Sequence, residues 1–250
     1  MPTGLPCWYE LVTTAPDEAA SFYSRLLRWK VADAGIAGFD YRGARAGEDA
    51  VAGIMAAPEG MAPQWSFYVA VADCDAMAQA ILAAGGAILH GPQDVPGTGR
   101  FAVAADPQGA VFAIIRLIRD DSAAFDPSGA GHGCWHELMT SDPHAAMEFY
   151  GRLFGWTLGE TLNMGPDMDY HIFRHGETSI GGMMRQMPNM PGPGKPFWLP
   201  YFRSDGLKLA IARAKRAGGS VLFAPKAVPG GFITLGHDPQ GALFALFGEK

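Results

Sequence analysis

A glutamate follows a tryptophan by two residues at two places in the chain, as Trp8 and Glu10 and again as Trp135 and Glu137. The surrounding residues favour strands, so side-chain alternation would put each tryptophan and its glutamate on one face. A carboxylate beside an indole in apolar surroundings has a raised pKa, which makes both glutamates candidate general acids or bases. The alternative is structural: each glutamate accepts backbone hydrogen bonds or pairs with an arginine, because an unpaired buried carboxylate is costly.

A phenol and a guanidinium form a second candidate pair in both places. Tyr41 precedes Arg45 by four residues, and Tyr170 precedes Arg174 by four residues. On a regular strand this spacing puts both side chains on one face. They could orient a polar substrate, with the arginine holding an anionic group. An exposed strand face with a salt bridge is the alternative.

The spacing of the seven histidines does not form a metal-binding motif. His171 and His175 are separated by about 13 Å on an extended strand, so they cannot share one ion without a bend. No Ser-His-Asp or Cys-His set can be argued from spacing alone. The short glycine runs at 97–99 and 230–231 precede no helix, so hairpin turns are favoured over phosphate-binding loops.

The candidates occur in pairs because the chain contains an internal repeat. Cys-Trp-Tyr-Glu-Leu at 7–11 returns as Cys-Trp-His-Glu-Leu at 134–138, and Asp-Pro-Gln-Gly-Ala at 106–110 returns unchanged at 238–242. The distance between the copies grows by only a few residues along the chain. A repeat of this length indicates the duplication of a whole domain rather than a short solenoid unit.

The elements that must position these residues are predicted to form four βαβββ units, two in each half. Residues 7–13 favour a strand, and an apolar stripe in the following segment predicts a helix. We expect this helix to be capped by Thr14, three residues before Asp17, and its copy by Asp142, which a proline follows. A second unit begins with a strand over 65–72. The predicted fold class is α+β.

Length and composition support two soluble domains. We predict one domain over 1–119 and one over 134–250, joined by a linker over 120–133 that is rich in Asp, Ser, Ala, Pro and Gly. The net charge of −6 and the lack of a basic run argue against nucleic acid or an anionic membrane as partner. No signal peptide or spanning apolar run is visible, so we expect a cytoplasmic protein. It would be a monomer with an internal pseudo-dimer, or a homodimer.

The order of the motifs resembles the vicinal-oxygen-chelate superfamily, which contains glyoxalase I, the bleomycin-resistance proteins and the extradiol dioxygenases. The shared features are paired βαβββ units, a Phe-Tyr pair on the first helix (Phe22-Tyr23 and Phe149-Tyr150), Trp-x-Glu-Leu and a terminal Asp-Pro-x-Gly hairpin. The resemblance covers essentially the whole chain, once per half. It implies two tandem glyoxalase/bleomycin-resistance-type half-barrel domains, each with its site on the concave face.

The resemblance also implies where metal ligands would lie, since enzymatic members bind a divalent metal through His and Glu. The implied positions are Trp8, the vicinity of Phe67, Ala113 and residues 53–55, and in the second half Trp135, the vicinity of Leu199, Ala245 and residues 182–184. These residues are apolar or glycine, whereas divalent cations need oxygen or imidazole donors. We therefore expect that the usual metal site is lost, and we predict no cofactor.

Two main hypotheses follow. In the first, a metal-free member binds a small apolar or aromatic molecule in one or both concave pockets, and either sequesters it or transfers a proton with Glu10 or Glu137. The walls of these pockets would be Trp8, Trp135, Phe67, Met55, Met183 and Met184. In the second, the chain is a metal-dependent lyase, isomerase or dioxygenase with a displaced ligand set that includes Glu10, Glu137 or His171. A further alternative leaves one half without a ligand, as a packing partner.

Overall fold

The computed structural model describes residues 3–36, 38–119, 122–166, 168–188 and 190–250. Asp120 and Asp121, where the predicted linker begins, lie outside the described residues, and so do Met1 and Pro2 at the start of the N-terminal segment. Within the described ranges, no helix is long and apolar enough to cross a membrane.

The predicted βαβββ pattern is present in both halves of the chain. The first half contains β1 (Pro6–Thr13), α1 (Pro16–Leu27), β2 (Lys30–Asp33), β3 (Tyr41–Ala46), β4 (Asp49–Ala56), β5 (Gln64–Ala70), α2 (Cys74–Ala83), β6 (Ala87–Val95), β7 (Gly99–Ala105) and β8 (Val111–Leu117). The second half contains β9 (Gly133–Thr140), α3 (Pro143–Phe154), β10 (Thr157–Asn163), β11 (Asp169–His175), β12 (Thr178–Arg185), β13 (Phe197–Arg203), α4 (Leu207–Arg216), β14 (Ser220–Val221), β15 (Lys226–Val228), β16 (Gly231–His237) and β17 (Leu243–Gly248).

The strands form two mixed sheets, which confirms the α+β fold class. Strands β1–β8 belong to one sheet and β9–β17 to the other. The order β2-β3-β4-β1 in the first half returns as β10-β11-β12-β9, and β5-β8-β7-β6 returns as β13-β17-β16-β14, with β15 added against β16. β1 runs parallel to β4, and β9 runs parallel to β12. The duplication seen in the sequence is therefore also a duplication of strand order.

The chain divides by its contacts into two compact units that each combine segments of both halves. The α2–α3 unit consists of the described residues of 1–7, 67–121 and 135–198. The α1–α4 unit consists of the described residues of 8–66, 122–134 and 199–250. The boundaries at 1–119 and 134–250 follow the sequence repeat and stay a prediction of domain organisation.

A buried hydrogen-bonded chain crosses the core of the α1–α4 unit. The phenol oxygen of Tyr23 accepts a hydrogen bond from Trp65 Nε1 at 2.9 Å and donates one to Asp238 Oδ2 at 3.1 Å. Asp238 belongs to the turn between β16 and β17, so the Phe-Tyr motif of one half is bonded to the Asp-Pro-x-Gly motif of the other. Burial raises the pKa of the Asp238 carboxyl above its ordinary value.

The α2–α3 unit contains the same chain. Tyr150 accepts from Trp198 Nε1 at 2.8 Å and donates to Asp106 Oδ2 at 3.0 Å. The other carboxylate oxygen of Asp106 accepts from the backbone amides of Gln108 and Ala110, both at 2.9 Å, which closes the turn between β7 and β8. The predicted hairpin at this motif is thereby confirmed. Asp106 therefore accepts hydrogen bonds both from the backbone of its own turn and from a tyrosine in the other half of the chain.

The predicted cap at Thr14 is wrong. Helix α1 begins after Ala15, with a proline in its first turn, and Ala15 provides no side-chain hydrogen bond. Thr14 thus lies one position too early to reach the first-turn amides. Asp17 instead accepts a hydrogen bond from Arg42 Nε at 2.9 Å. Asp142 does cap α3, accepting from two amides of the first turn as expected.

We expect His136 to make folding acid-sensitive. Its side chain is buried, Nδ1 lies 2.7 Å from the Ile180 carbonyl oxygen, and burial lowers its pKa from 6.5 to about 4. The unfolded chain gains this proton near pH 6.5, whereas the folded chain gains it only near 4. Stability is therefore lost as pH falls between these values, by up to roughly 3 kcal/mol.

Urea unfolding at pH 7 and pH 4.5 measures this loss for the wild type and for His136→Gln. Glutamine can still donate to the carbonyl but does not ionise, so the variant should lose less stability between the two pH values. An equal loss in both proteins would show that another group is responsible.

Candidate functional site

The side chains of β1 and β9 alternate between the core and a partly exposed face. Tyr9 is fully buried, while its neighbours Trp8 and Glu10 are partly exposed on the opposite face. In β9, Trp135 and Glu137 are likewise partly exposed. The structure therefore brings each tryptophan and its glutamate to one side of a strand. We call these two strand faces the triad faces, because each carries a group of three hydrogen-bonded side chains.

A tyrosine from another strand joins the first tryptophan and glutamate. The phenol oxygen of Tyr41, on β3, accepts from Trp8 Nε1 at 2.8 Å and donates to Glu10 Oε2 at 3.1 Å. β4 lies between β3 and β1, so the Tyr41 ring has to cross it. It crosses over Gly53, which lies opposite Glu10 in the register and where a Cβ would be only 1.7 Å from the phenol oxygen. Trp8, Tyr41 and Glu10 form the first triad.

The second half builds the same triad from equivalent residues. Tyr170, on β11, accepts from Trp135 Nε1 at 2.7 Å and makes a side-chain hydrogen bond to Glu137. Its ring crosses β12 over Gly182, where a Cβ would be 2.2 Å from the ring carbons. Gly182 lies opposite Glu137 in the register. Trp135, Tyr170 and Glu137 form the second triad.

Both triad phenols keep their protons at neutral pH. Burial raises the pKa of Tyr41 and of Tyr170 well above the ordinary value, and the negative charges of Glu10 and Glu137 raise it further. Each tyrosine is thus a hydrogen-bond donor to its carboxylate, and each indole N–H is a donor to the tyrosine. The triad presents one fixed carboxylate beside an aromatic surface.

Two of the predicted wall residues lie on the triad faces. Met55 is directly opposite Tyr41 in the register of β3 and β4, and it is partly exposed. Met184 is directly opposite Tyr170 in β11 and β12. Paired residues of neighbouring strands point to the same side of a sheet. The methionine side chains therefore border the tyrosines of the two triads.

Two other predicted wall residues lie in the core instead. Met183 is fully buried opposite Leu138, because it alternates along β12 with Met184, whose side chain lies on the triad face. Phe67 is fully buried, with its ring centroid 4.7 Å from that of His136 and 5.1 Å from that of Trp198. Neither side chain contributes to a triad face.

The predicted arginines take no part in the triads. The register shifts between Ala44 and Arg45, and again between Phe173 and Arg174. The extra residue of each shift lies in the neighbouring strand, β4 or β12, so each arginine keeps the strand face of its tyrosine but lies about 13 Å further along the strand. Arg45 is exposed and donates to the carbonyl oxygen of Glu48, and Arg174 is also exposed.

The residues at the implied metal positions do not fit a divalent cation. The indoles of Trp8 and Trp135 have only an N–H donor to offer, and each N–H is bound to a tyrosine oxygen. His171 alternates with Tyr170, so it lies on the other face of β11, where its ring centroid is 5.3 Å from that of His144. Across the described ranges, no three or more His, Cys, Asp or Glu residues are grouped to hold a metal ion.

Residue spacing does not predict the crossing glycines or the hydrogen bonds of the tyrosines. Tyr41 and Tyr170 bind tryptophan and glutamate across an intervening strand. A signal was present in the sequence, because Gly53 and Gly182 occupy equivalent positions of the repeat. A glycine kept within both copies of a strand indicates the close approach of another group.

Comparison with known proteins gives matches over nearly the whole chain. Residues 9–115 match the model of a glyoxalase-like domain, and residues 134–246 match that of the glyoxalase/bleomycin resistance protein/dioxygenase superfamily. The putative glyoxylase CFP32 of Mycobacterium tuberculosis is 34% identical over 251 residues, covering 97% of this chain and 94% of that protein. The anthracycline biosynthesis protein DnrV of Streptomyces peucetius is 33% identical over 272 residues, covering 97% and 92%.

Solved structures show the same fold at low identity. The 2,3-dioxygenase LapB of Pseudomonas sp. KL28 is similar with a TM-score of 0.68 and 14% identity, over 98% of this chain and 91% of that one. The Mn(II)-bound glyoxalase of Novosphingobium aromaticivorans gives 0.66 and 15%, over 99% and 82%. The chain belongs to the glyoxalase/bleomycin resistance protein/dioxygenase superfamily, the vicinal-oxygen-chelate group, and carries two glyoxalase-like domains in tandem.

Proposed function

We propose that the chain binds a small aromatic or apolar molecule with a hydrogen-bond donor at one or both triads, without a metal ion. The observation that carries this proposal is the repeated Trp–Tyr–Glu arrangement over a glycine, in which the tryptophan and the glycine occupy positions where the family resemblance implies metal ligands. The name of the relative DnrV refers to anthracycline biosynthesis, which is compatible with an organic ligand.

The chemistry of each triad suits such a ligand. The indole and the neighbouring methionine offer apolar surface to an aromatic ring. A carboxylate oxygen accepts more than one hydrogen bond, so Glu10 can accept from a ligand while it stays bonded to Tyr41. The tyrosine in turn fixes the direction of the carboxylate, which reduces the ordering needed when a ligand binds.

The same arrangement supports proton transfer between the ligand and the glutamate. Glu10 or Glu137 would take a proton from a bound O–H or C–H group, and the tyrosine hydrogen bond would hold the carboxylate during the transfer. The tyrosine itself keeps its proton, because its pKa is raised. Sequestration needs only the binding step, whereas catalysis would need the transfer as well.

Intrinsic tryptophan fluorescence tests the binding site. We expect 1-naphthol to quench this fluorescence in the wild type more strongly than naphthalene, which has the same rings without a hydroxyl group. In a Glu10→Gln/Glu137→Gln variant, 1-naphthol should bind about tenfold more weakly because the charged acceptor is lost. Naphthalene should bind equally to both proteins. Unchanged quenching in a Trp8→Phe/Trp135→Phe variant would place the ligand elsewhere.

The second candidate is a metal-dependent lyase, isomerase or dioxygenase, which the names of the glyoxylase relative and of the Mn(II)-bound neighbour favour. The apolar and glycine residues at the implied ligand positions argue against it, because divalent cations need oxygen, sulfur or imidazole ligands. We expect 1-naphthol quenching to be the same before and after dialysis against EDTA. Stoichiometric Mn²⁺, Zn²⁺, Ni²⁺ or Fe²⁺ in the purified protein, with quenching lost on its removal, would support the metal enzyme and contradict our proposal.

A further inference from the structure

Each unit contains a cleft beside the end of a helix, and the two clefts differ in charge. In the α1–α4 unit a cavity of about 130 Å³ lies at the end of α1. Its charged lining consists of Arg28, Arg203, Arg213 and Asp205. In the α2–α3 unit a cavity of about 470 Å³ lies at the end of α3, and small or apolar residues dominate its lining.

Backbone contacts show that the two clefts are repeat equivalents. The amide of Gly131 donates to the Arg203 carbonyl oxygen at 2.8 Å, and the amide of Gly4 donates to that of Ala70 at 2.8 Å. The carbonyl oxygens of these two glycines accept from the indole of Trp29 in one cleft, at 2.8 Å, and of its copy in the other, at 2.6 Å. These glycine and indole hydrogen bonds, which we call the cleft frame, therefore occur beside both cavities.

The three arginines and Asp205 belong to one copy alone, whereas the lining of the other cleft includes Asp73 and His175. Arg203 corresponds to Ala70, because both residues make the same contact in the frame and hold the same place in the pairing of the last strand. Counted along the same strand and helix, Arg213 corresponds to Ala80 and Asp205 to Ala72. The α2–α3 unit folds without these charges, so the frame does not require them.

The backbone conformation of Arg28 is a second sign that the charges of this cleft are not needed for folding. It follows α1 in the left-handed conformation with φ 60°, while the equivalent residue of the repeat is Gly155 with φ 70°. Among the described residues it alone has a positive φ without being glycine. Glycine adopts this conformation without a Cβ clash. An arginine here carries a backbone strain that its copy avoids.

The three guanidinium groups have more donors than the cleft satisfies. Asp205 forms an ion pair with Arg28, whose Nε lies 2.8 Å from Oδ2, and accepts a hydrogen bond from Arg213 at 2.6 Å. Arg213 Nε donates to the Leu26 carbonyl oxygen at 3.1 Å. Arg203 donates to a carbonyl oxygen at 3.2 Å, and its guanidinium carbon lies 5.5 Å from an aromatic ring centroid. A guanidinium has five N–H groups, so most of them have no acceptor among the described residues.

We propose that this cleft, which we call the arginine cleft, binds a small oxyanion, namely a phosphate or carboxylate group. Guanidinium groups bind both through paired hydrogen bonds, and here three of them are accompanied by a single carboxylate. The cavity of about 130 Å³ is smaller than the ~300–1,000 Å³ typical of sites for larger ligands. The site is separate from the triads and does not depend on the proposed function.

Calorimetric titration at constant ionic strength tests the arginine cleft with two probes, inorganic phosphate and acetate. We expect binding of at least one probe to the wild type. Phosphate alone would identify a phosphoryl site, acetate alone a carboxylate site, and both a general oxyanion site. Arg203→Ala should weaken binding about tenfold or more, since a charge-assisted pair is lost.

The internal repeat suggests which substitutions the fold tolerates, because the other half of the chain carries a different residue at each arginine position. Arg28→Gly, Arg203→Ala and Arg213→Ala each install the residue of the equivalent position, so each should fold. Arg28→Gly should weaken anion binding without lowering the melting temperature, because it relieves the left-handed backbone. Arg116→Ala removes an exposed positive charge outside the cleft and should bind the anion as the wild type does.

Two results would overturn the proposal. One is the absence of phosphate and acetate binding to the wild type at millimolar concentrations. The other is binding that Arg203→Ala and Arg116→Ala reduce equally, which would indicate a general charge effect.

Discussion

A Gly53→Ala variant should lose 1-naphthol binding at the first triad and unfold more easily than the wild type. The new Cβ would lie 1.7 Å from the Tyr41 phenol oxygen and 2.0 Å from the adjoining ring carbon. A small shift of the strand or of the ring cannot relieve so short a contact. The ring must therefore leave its place over β4. Trp8 and Glu10 then lose their shared partner. We expect a loss of roughly 1–3 kcal/mol in the free energy of unfolding, as for other overpacked sites.

Gly43→Ala is the matched control. Gly43 lies directly opposite Gly53 in the register, and its added Cβ would meet only the Ala34 Cβ, at 3.6 Å. The two variants share the same chemical change in neighbouring strands. Urea unfolding and fluorescence titration should therefore separate them. Equal effects would show that the crossing of Tyr41 over Gly53 has no special importance.

A double variant tests the cause directly. Tyr41→Ala in the Gly53→Ala background removes the clashing ring, so stability should partly return. Binding of 1-naphthol should stay weak, because Glu10 no longer has the hydrogen bond that fixes it. Recovery of both properties would mean that the tyrosine has no role in the site. Gly182→Ala, with Tyr170→Ala, offers the same experiment in the second triad.

Tyr23→Phe should cause the largest loss of stability, roughly 2–5 kcal/mol. The substitution removes the acceptor of the Trp65 N–H and a donor to Asp238, both within the core. Buried polar groups that lose their partner each cost about 1–3 kcal/mol, and more when one is charged. Asp238 keeps the backbone amides of its own turn, which limits the loss. Urea unfolding at pH 7 measures it.

Tyr41→Phe is a close control for this prediction. Tyr41 also links a tryptophan N–H to a carboxylate, but Trp8 and Glu10 are partly exposed and water can replace the phenol. We expect its effect on the free energy of unfolding to be clearly smaller than that of Tyr23→Phe. A similar loss in both variants would contradict the account of the buried chain. Tyr150→Phe should reproduce the Tyr23→Phe result in the other unit.

Local sequence patterns are sufficient to predict the duplication, the order of elements and the sharing of one face by each tryptophan and its glutamate. These features depend on short-range patterns: the alternation of Trp8 and Glu10 follows from strand geometry. The Asp-Pro-x-Gly turn follows from local backbone preferences, since Asp106 bonds amides only two and four residues away. Such patterns need no knowledge of what packs against them.

The contacts between side chains of different strands depend on the tertiary fold. Tyr41 reaches Glu10 because two separate pairings place Gly53 between them, and Arg45 instead donates to the carbonyl oxygen of Glu48. The arginine cleft likewise joins residues that are far apart in the chain. Strand registers and irregularities are set by the pairing of distant segments, and a local pattern does not contain that information.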